Sequence, residues 1–282
     1  MASYHARSSS CPSIAHPVVD QFDQHLSRLR SSQAASTSSS LYQTLTNLKN
    51  LYCCVDELLQ LPLNQQAVSQ NRPSKWVEEV LDGSLRLLDM CTTSRDVLVQ
   101  SKECLQDIQS VLRRRSSGEL NINNEIAQYL NTRKSARKMI KKCLKNTIKE
   151  TNQTTTEDAS IKSALKEVEA VTLDIFKSVL SYIGGAKLES QKSKWSLVNK
   201  LMHQGGDKEA KSTNSEFDVV DATLESIICQ KNKNGVNMLQ VENMRCQMVK
   251  LESEIQVLDE TLDSLFRHLV KTRATILNLL SN

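Results

Sequence analysis

Proline, glycine and aromatic residues are scarce in this sequence. Its 282 residues include 4 prolines and 7 glycines, and aromatic side chains make up 4% of the total. All the prolines come before residue 74, so most of the chain is free of helix-breaking residues. Strands and tight turns draw on residue types that are rare here. The composition therefore predicts an all-α fold, an elongated bundle of several helices.

Motifs typical of enzymes and metal proteins are also missing. The 8 cysteines form no CxxC pair and no zinc-type cluster with histidine. The two Gly-Gly pairs belong to no phosphate-binding loop. We therefore predict a non-enzymatic protein with no catalytic residue, no cofactor and no metal. The formal net charge of +4 is too small to imply nucleic-acid binding, and we predict none.

No apolar run approaches the roughly eighteen residues that a membrane-spanning helix needs. The N-terminus also lacks a secretory signal, so we expect an intracellular protein, most readily a cytoplasmic one. Residues 1–17 are rich in serine and contain no acid. Such a composition is typical of a disordered tail, which we predict here, but an organellar presequence has it too.

The C-terminal stretch carries the clearest pattern in the chain. Apolar residues recur from Val241 in alternating steps of three and four, and only Thr272 interrupts them. The members of this seam are Val241, Met244, Met248, Leu251, Ile255, Leu258, Leu262, Leu265, Leu269, Thr272, Ile276 and Leu279. A heptad repeat sustained over this length predicts a helix of about 57 Å that needs partner helices. A parallel homodimer would create no opposite-charge pair beside the seam, so we favour packing within one chain, and hence a monomer.

The rest of the chain divides into helices separated by polar breaks. We predict a helical bundle over 18–202, with linkers at 31–40 and 151–157. A flexible linker follows at 203–215, and a C-terminal helical region at 216–282 packs back on the bundle. Ser39 or Ser40 is expected to cap the second helix, and the Gly184-Gly185 pair is expected to end a later one.

One predicted helix is strongly basic. Residues 133–149 contain cations and no acid, with apolar residues on one side. The candidates for binding an anionic surface are Arg133, Lys134, Arg137, Lys138, Lys141, Lys142 and Lys145. An amphipathic helix of this kind can bind an anionic membrane or an anionic partner. The alternative is a solvated face that acidic neighbours balance elsewhere in the bundle.

Two serines follow arginines at the spacing that basophilic kinases recognise. Ser31 and Ser116 each have an arginine three residues earlier, in stretches that we predict to be turns. A phosphate there would add negative charge beside a cationic helix end. Both serines are candidate phosphorylation sites.

Long blocks of the sequence resemble a plant-specific family, the domain of unknown function 241 or BYPASS-related proteins. The blocks, in order, are HARSSSCPSIAHP (5–17), LSRLRSS (26–32), LYCCVDELLQLPLNQQAV (51–68), KWVEEVLDGSLRLLDMC (75–91), KECLQDIQSVLRRR (102–115), KWSLVNKLM (194–202) and LFRHLVKTRATILNLLSN (265–282). The resemblance implies a role in root and shoot development, and it assigns no activity, cofactor or ligand. We therefore expect a helical adaptor or regulator that binds protein partners through helical surfaces. The alternative is a peripheral membrane-binding module that uses the basic helix.

Overall fold

The computed structural model describes residues 16–31, 37–70, 75–114, 122–148, 161–189, 215–230 and 238–281. Within these ranges the chain forms nine helices and no strand, which confirms the all-α prediction. The helices are α1 (Pro17–Ser31), α2 (Ser38–Gln60), α3 (Pro62–Gln70), α4 (Lys75–Arg114), α5 (Asn123–Ile148), α6 (Ile161–Gly184), α7 (Ala186–Glu189), α8 (Glu216–Gln230) and α9 (Met238–Ser281). None of them is long and apolar enough to cross a membrane.

The start of α2 differs from the predicted cap. Thr37 is the N-cap, so the expectation of Ser39 or Ser40 is corrected by two or three residues. The Thr37 hydroxyl accepts a hydrogen bond from the Ser40 amide at 3.3 Å, and the Ser40 hydroxyl accepts one from the Thr37 amide at 3.1 Å. This reciprocal pair satisfies two amides that the first helical turn leaves without a partner. The predicted 31–40 linker thus overlaps α1 at Ser31 and α2 from Ser38 onward.

Proline and glycine set two other helix ends. Leu61 has an extended backbone immediately before Pro62, because the proline ring disfavours a helical conformation in the residue that precedes it. Gly184 ends α6 as predicted, and Gly185 has a φ of +71°, which side chains with a Cβ rarely adopt. The Asp218 carboxylate accepts a hydrogen bond from the Ala186 amide at 2.9 Å and so holds this turn against α8. The predicted linker at 151–157 lies outside the described residues, and so does the predicted linker at 203–215 except for Ser215.

Helix α9 runs along the bundle and packs mainly against α4 and α2. Its seam is buried from Met244 to Ile276, and Val241 and Leu279 are partly buried against the same core. Helices of the same chain therefore cover the heptad surface. Burial of about 25 cal/mol per Å² of apolar surface makes this seam a principal source of the stability of the bundle.

A series of polar contacts defines the direction of α9 relative to α4. Arg95 contacts Asp259 at 2.9 Å, and Gln109 contacts Glu252 at 3.0 Å. Arg273, near the end of α9, donates to the Ser84 hydroxyl near the start of α4 at 2.6 Å. Residue numbers rise on one helix as they fall on the other, so the two helices are antiparallel.

Thr272, the polar residue of the seam, has a buried partner. Its hydroxyl donates to the Asp56 carboxylate on α2 at 2.7 Å, and the Lys271 ammonium lies 3.0 Å from the other oxygen of that carboxylate. Asp56 is itself buried, so its charge needs these partners. A threonine at this position supplies the Asp56 carboxylate with a hydrogen bond that an apolar side chain could not donate.

Candidate functional site

The basic helix α5 is anchored by its first cation, Arg133. Its side chain has 0% exposure, and its guanidinium lies 4.5 Å from the centre of the Phe217 ring on α8. It donates to the Asp221 carboxylate at 3.2 Å and to the Ile183 carbonyl oxygen at 2.7 Å. A buried cation needs such partners to offset its loss of hydration. Arg133 is therefore not available to bind an anionic surface, which corrects the prediction for this residue.

Arg137 lies one turn later and reaches the same acceptors. Its guanidinium donates to the Gly184 carbonyl oxygen at 2.9 Å and pairs with Asp221. The two arginines thus bind one carboxylate on α8 and two carbonyl groups at the end of α6. For Arg137, too, the structure corrects the predicted surface role. The expectation that acidic neighbours neutralise the basic helix fits these two residues.

Four of the remaining predicted cations lie along the outside of α5. We call them the lysine row: Lys134, Lys138, Lys142 and Lys145. All four are exposed, and none has an ion pair within the residues that the structure describes. With about 3.6 residues per turn, they fall within an arc of about 80° on the helix. Lys141, the last predicted cation, is half-buried at the edge of this row.

A second row of charges, of opposite sign, lies on α4. We call it the acid row: Asp82, Asp89, Asp96 and Glu103. These exposed carboxylates are spaced by seven residues, which keeps them on one side of the helix. None of them has an ion pair among the described residues. Our sequence reasoning missed this row, although its heptad spacing was the signal that could have found it.

The two rows belong to one surface because α4 and α5 pack side by side. The Cys104 thiol on α4 contacts the Thr132 hydroxyl on α5 at 3.5 Å. Thr93, eleven residues before Cys104 on α4, hydrogen-bonds Cys143, eleven residues after Thr132 on α5. The helices are therefore antiparallel. Burial and the nearby charge of Asp89 raise the pKa of the Cys143 thiol, so this member of the acid row lies close to α5.

Uncharged side chains fill the surface between and beside the rows. A groove of about 570 Å³ between α4 and α5 is lined mainly by residues with amide or hydroxyl side chains, including Gln100, Asn131 and Ser135. Leu85 and Val99 on α4 are 46% and 40% exposed, and Met139 on α5 is 36% exposed. The surface thus combines charge, hydrogen-bonding groups and apolar contacts, as the interfaces of protein complexes do.

The two candidate phosphorylation sites have different outcomes. Ser31 is the last residue of α1, and its exposed hydroxyl donates to the Arg28 carbonyl oxygen at 2.9 Å. It therefore lies at a helix end rather than in a separate turn. Ser116 lies outside the described residues. Phosphorylation of either serine stays a prediction.

Within the described ranges, no group of three or more histidine, cysteine or carboxylate side chains is arranged to hold a metal ion. The seven cysteines in these ranges are all free thiols. The strongest pKa shifts belong to buried structural groups rather than to an exposed cleft. For example, burial raises the pKa of the Cys91 thiol to about 12, so this sulfur is a packed, unreactive group.

Comparison with known proteins places most of the chain in one family. The family model described as Protein BPS1 matches residues 44–279, which include α3 to α8, both charge rows and most of α2 and α9. The searches of curated proteins and of solved structures each found no match.

Proposed function

Since the chain belongs to the Protein BPS1 family, we propose that it is a non-enzymatic helical adaptor or regulator in root and shoot development. This is a plant family of unknown molecular function and is not a known enzyme family. The chain acts by binding protein partners, and the location that we propose for it is the cytoplasm. The observation that carries it is the surface on which the acid row and the lysine row lie side by side, with no ion pair to any residue in the described part of the chain.

Charges that remain unpaired in a folded chain are available to a partner. Each row holds four like charges, and long stretches of one sign favour a partner surface of the opposite sign. Leu85, Val99 and Met139 add exposed apolar contact area within the same surface. A protein partner can match both signs and the apolar groups at once, whereas a uniformly charged surface can match only one of the rows.

A peripheral membrane-binding module is the second candidate, and the lysine row is the observation that favours it. Each lysine near an anionic bilayer contributes about 1 kcal/mol of attraction, so the row would supply about 4 kcal/mol. The acid row lies on the adjacent helix, and helix axes in contact are about 10 Å apart. This distance is close to the Debye length at physiological salt, so an anionic membrane that attracts the lysine row also repels the carboxylates of the acid row. That repulsion offsets much of the attraction. We therefore rank the protein partner first.

The test compares three forms of the full chain in plants that lack the endogenous protein. One is wild type, and one, the lysine-row variant, carries glutamate at all four lysine-row positions. The third, the control variant, places glutamate at four solvent-accessible cations on other helices that have no ion pair in the described residues: Arg28, Arg113, Lys162 and Arg245. Circular dichroism and thermal melting check that all three are folded. Each form is then scored for rescue of root and shoot growth and for sedimentation with anionic vesicles.

An adaptor that uses this surface predicts rescue by wild type and by the control variant but not by the lysine-row variant, with no vesicle binding by any form. Salt-sensitive vesicle binding by wild type, lost only in the lysine-row variant, would make the membrane module the leading function. Full rescue by the lysine-row variant would contradict both candidates. A fluorescent fusion in the same plants tests the cytoplasmic location, and accumulation inside an organelle would favour the presequence.

A further inference from the structure

We propose that the partner of the acid row and the lysine row is a second copy of this chain, in a symmetric dimer. The inference deepens the proposed adaptor function, because it names the partner of the same surface. It replaces our sequence-based preference for a monomer, which considered only the seam of α9. That seam is covered by α4 and α2 of the same chain, whereas the two charge rows face outward.

Three of the four acid-row residues match the lysine row in height along the bundle, and the fourth, Asp82, lies beyond the level of Ile148, where α5 ends. Since Thr93 lies opposite Cys143 and Cys104 lies opposite Thr132, each residue of α4 has a defined partner level on α5. Asp89 is then level with residue 147, Asp96 with residue 140 and Glu103 with residue 133. Lysines lie within two residues of each of these levels, and two residues correspond to about 3 Å of helix. The long lysine side chains can cover that difference.

A two-fold axis converts this match into complementarity. Suppose that the axis lies just outside this surface, parallel to the helices and midway between α4 and α5. The rotation then leaves the height of every residue along the bundle unchanged. The acid row of one copy then faces the lysine row of the other, and the same contacts occur twice, as in any isologous interface. Asp89 approaches Lys145, Asp96 lies between Lys138 and Lys142 of the other copy, and Glu103 approaches Lys134.

The competing symmetric arrangement is repulsive. A two-fold axis that crosses the helices at right angles would place α4 against α4 and α5 against α5. Four carboxylates would then face four carboxylates, and four lysines would face four lysines. Like charges brought together across an interface cost several kcal/mol, so the charge pattern selects the first arrangement and disfavours the second.

The size of the surface indicates a weak and reversible dimer. The part of the acid row that lies beside α5 runs from Asp89 to Glu103. At about 1.5 Å per residue and about 10 Å per helix, the two-helix surface covers about 400 Å² on each copy. This is below the roughly 800 Å² per partner of a standard interface, and contacts of this size are typically transient. We expect a micromolar dissociation constant that rises with salt, because the attraction between exposed charges is screened.

The experiment measures molar mass by light scattering, from about 10 to 300 μM protein at low salt, a range that covers weak interfaces. Four forms of the full chain are compared with the control variant. They are wild type, the lysine-row variant, an acid-row variant with lysine at all four acid-row positions, and a swapped variant that carries both sets of changes. Lysine and glutamate have similar helix propensities, and both exceed that of aspartate, so the helices are expected to form in every variant. Circular dichroism verifies this.

A charge-matched dimer predicts a specific pattern of masses. Wild type and the control variant dimerise, and raising the salt concentration dissociates them. The lysine-row and acid-row variants are each monomeric, because all their facing charges repel. Mixed in equal amounts, these two variants associate with each other, and the swapped variant dimerises again with an affinity within about tenfold of wild type, since its pairs are restored in reverse.

Two results would overturn the inference. One is a wild-type chain that stays monomeric up to the highest concentration. The other is a lysine-row variant that dimerises as wild type does. In either case the adaptor function is judged separately by the plant rescue, in which a lysine-row variant that fails to rescue would still support a different protein partner. A monomeric wild type that sediments with anionic vesicles would assign the lysine row to a membrane instead.

Discussion

Replacing Asp221 with alanine removes a buried carboxylate that pairs with two arginines at once. Asp221 is 2% exposed, and its partners Arg133 and Arg137 are 0% and 12% exposed. In wild type the desolvation cost of these groups is offset by their mutual attraction and by the carbonyl oxygens of Ile183 and Gly184. Without Asp221, a fully buried guanidinium keeps one carbonyl partner and no counter-charge.

The expected loss is about 3–5 kcal/mol in the free energy of unfolding, the usual cost of breaking a buried ion pair from one side. Because folded domains are typically stable by only about 5–15 kcal/mol, this loss is easily measured. Urea unfolding at neutral pH, followed by circular dichroism, provides the value. Asp174→Ala is the matched control, since it breaks an exposed pair with Lys177 and should cost less than about 1 kcal/mol.

A double variant separates the buried charge from the lost contacts. Replacing Arg133 with methionine in the Asp221→Ala background removes the unpaired buried cation and retains side-chain volume. We expect this to recover part of the lost stability, because apolar replacement of a buried ion pair is often neutral or stabilising. A cost below about 1 kcal/mol for Asp221→Ala, or a further large loss in the double variant, would refute the role of this cluster in holding α5 to α6 and α8.

Three further predictions concern single residues. Thr272→Val should lower the free energy of unfolding in urea by about 1–3 kcal/mol, because the buried Asp56 loses a hydrogen bond. Thr272→Ser retains the hydroxyl and should lower it less. Equal losses in the two variants would contradict this role of the hydroxyl. Burial is the largest cause of a lowered pKa at His268, so this imidazole binds a proton more readily in the unfolded chain than in the folded one. Stability should therefore decline as the pH falls below 6.5, and His268→Gln should show a smaller decline in urea midpoints between about pH 7.5 and 5.5. Gly185→Ala should lower the free energy of unfolding by about 1–2 kcal/mol because φ is positive there. Gly185→Asn should cost less, and an unchanged melting temperature in the alanine variant would contradict that account.

Local sequence features predicted much of the helical framework. The heptad repeat of α9 identifies its buried face, because an apolar stripe with a period of 3.5 residues must be covered by other helices. This inference holds without knowing which helices those are. The lack of proline after residue 73 similarly predicts long helices such as α4. Helix ends were less certain because they depend on a few hydrogen bonds, and the capping of α2 by Thr37 rather than by Ser39 or Ser40 is an example.

Part of the candidate site could not be obtained in this way. Arg133 and Lys134 are neighbours in a run of similar cations, yet one is fully buried and the other is exposed. A rotation of about 100° per residue separates their directions, but only the packing decides which direction is the interior. The partner that selects Arg133 is Asp221, 88 residues later in the chain. No local pattern connects residues at that distance.

The sequence by itself determined that this protein is helical, that α9 is covered along its seam, and that α5 is basic. Those properties follow from residue spacing and backbone propensity, which are local. Only the tertiary structure decided which cations are neutralised inside the bundle and which remain outside. It also placed the acid row of α4 beside the lysine row of α5, because the direction and register of two packed helices are set by side-chain contacts between distant segments. The charge pattern on which the proposed dimer depends exists only once that register is formed.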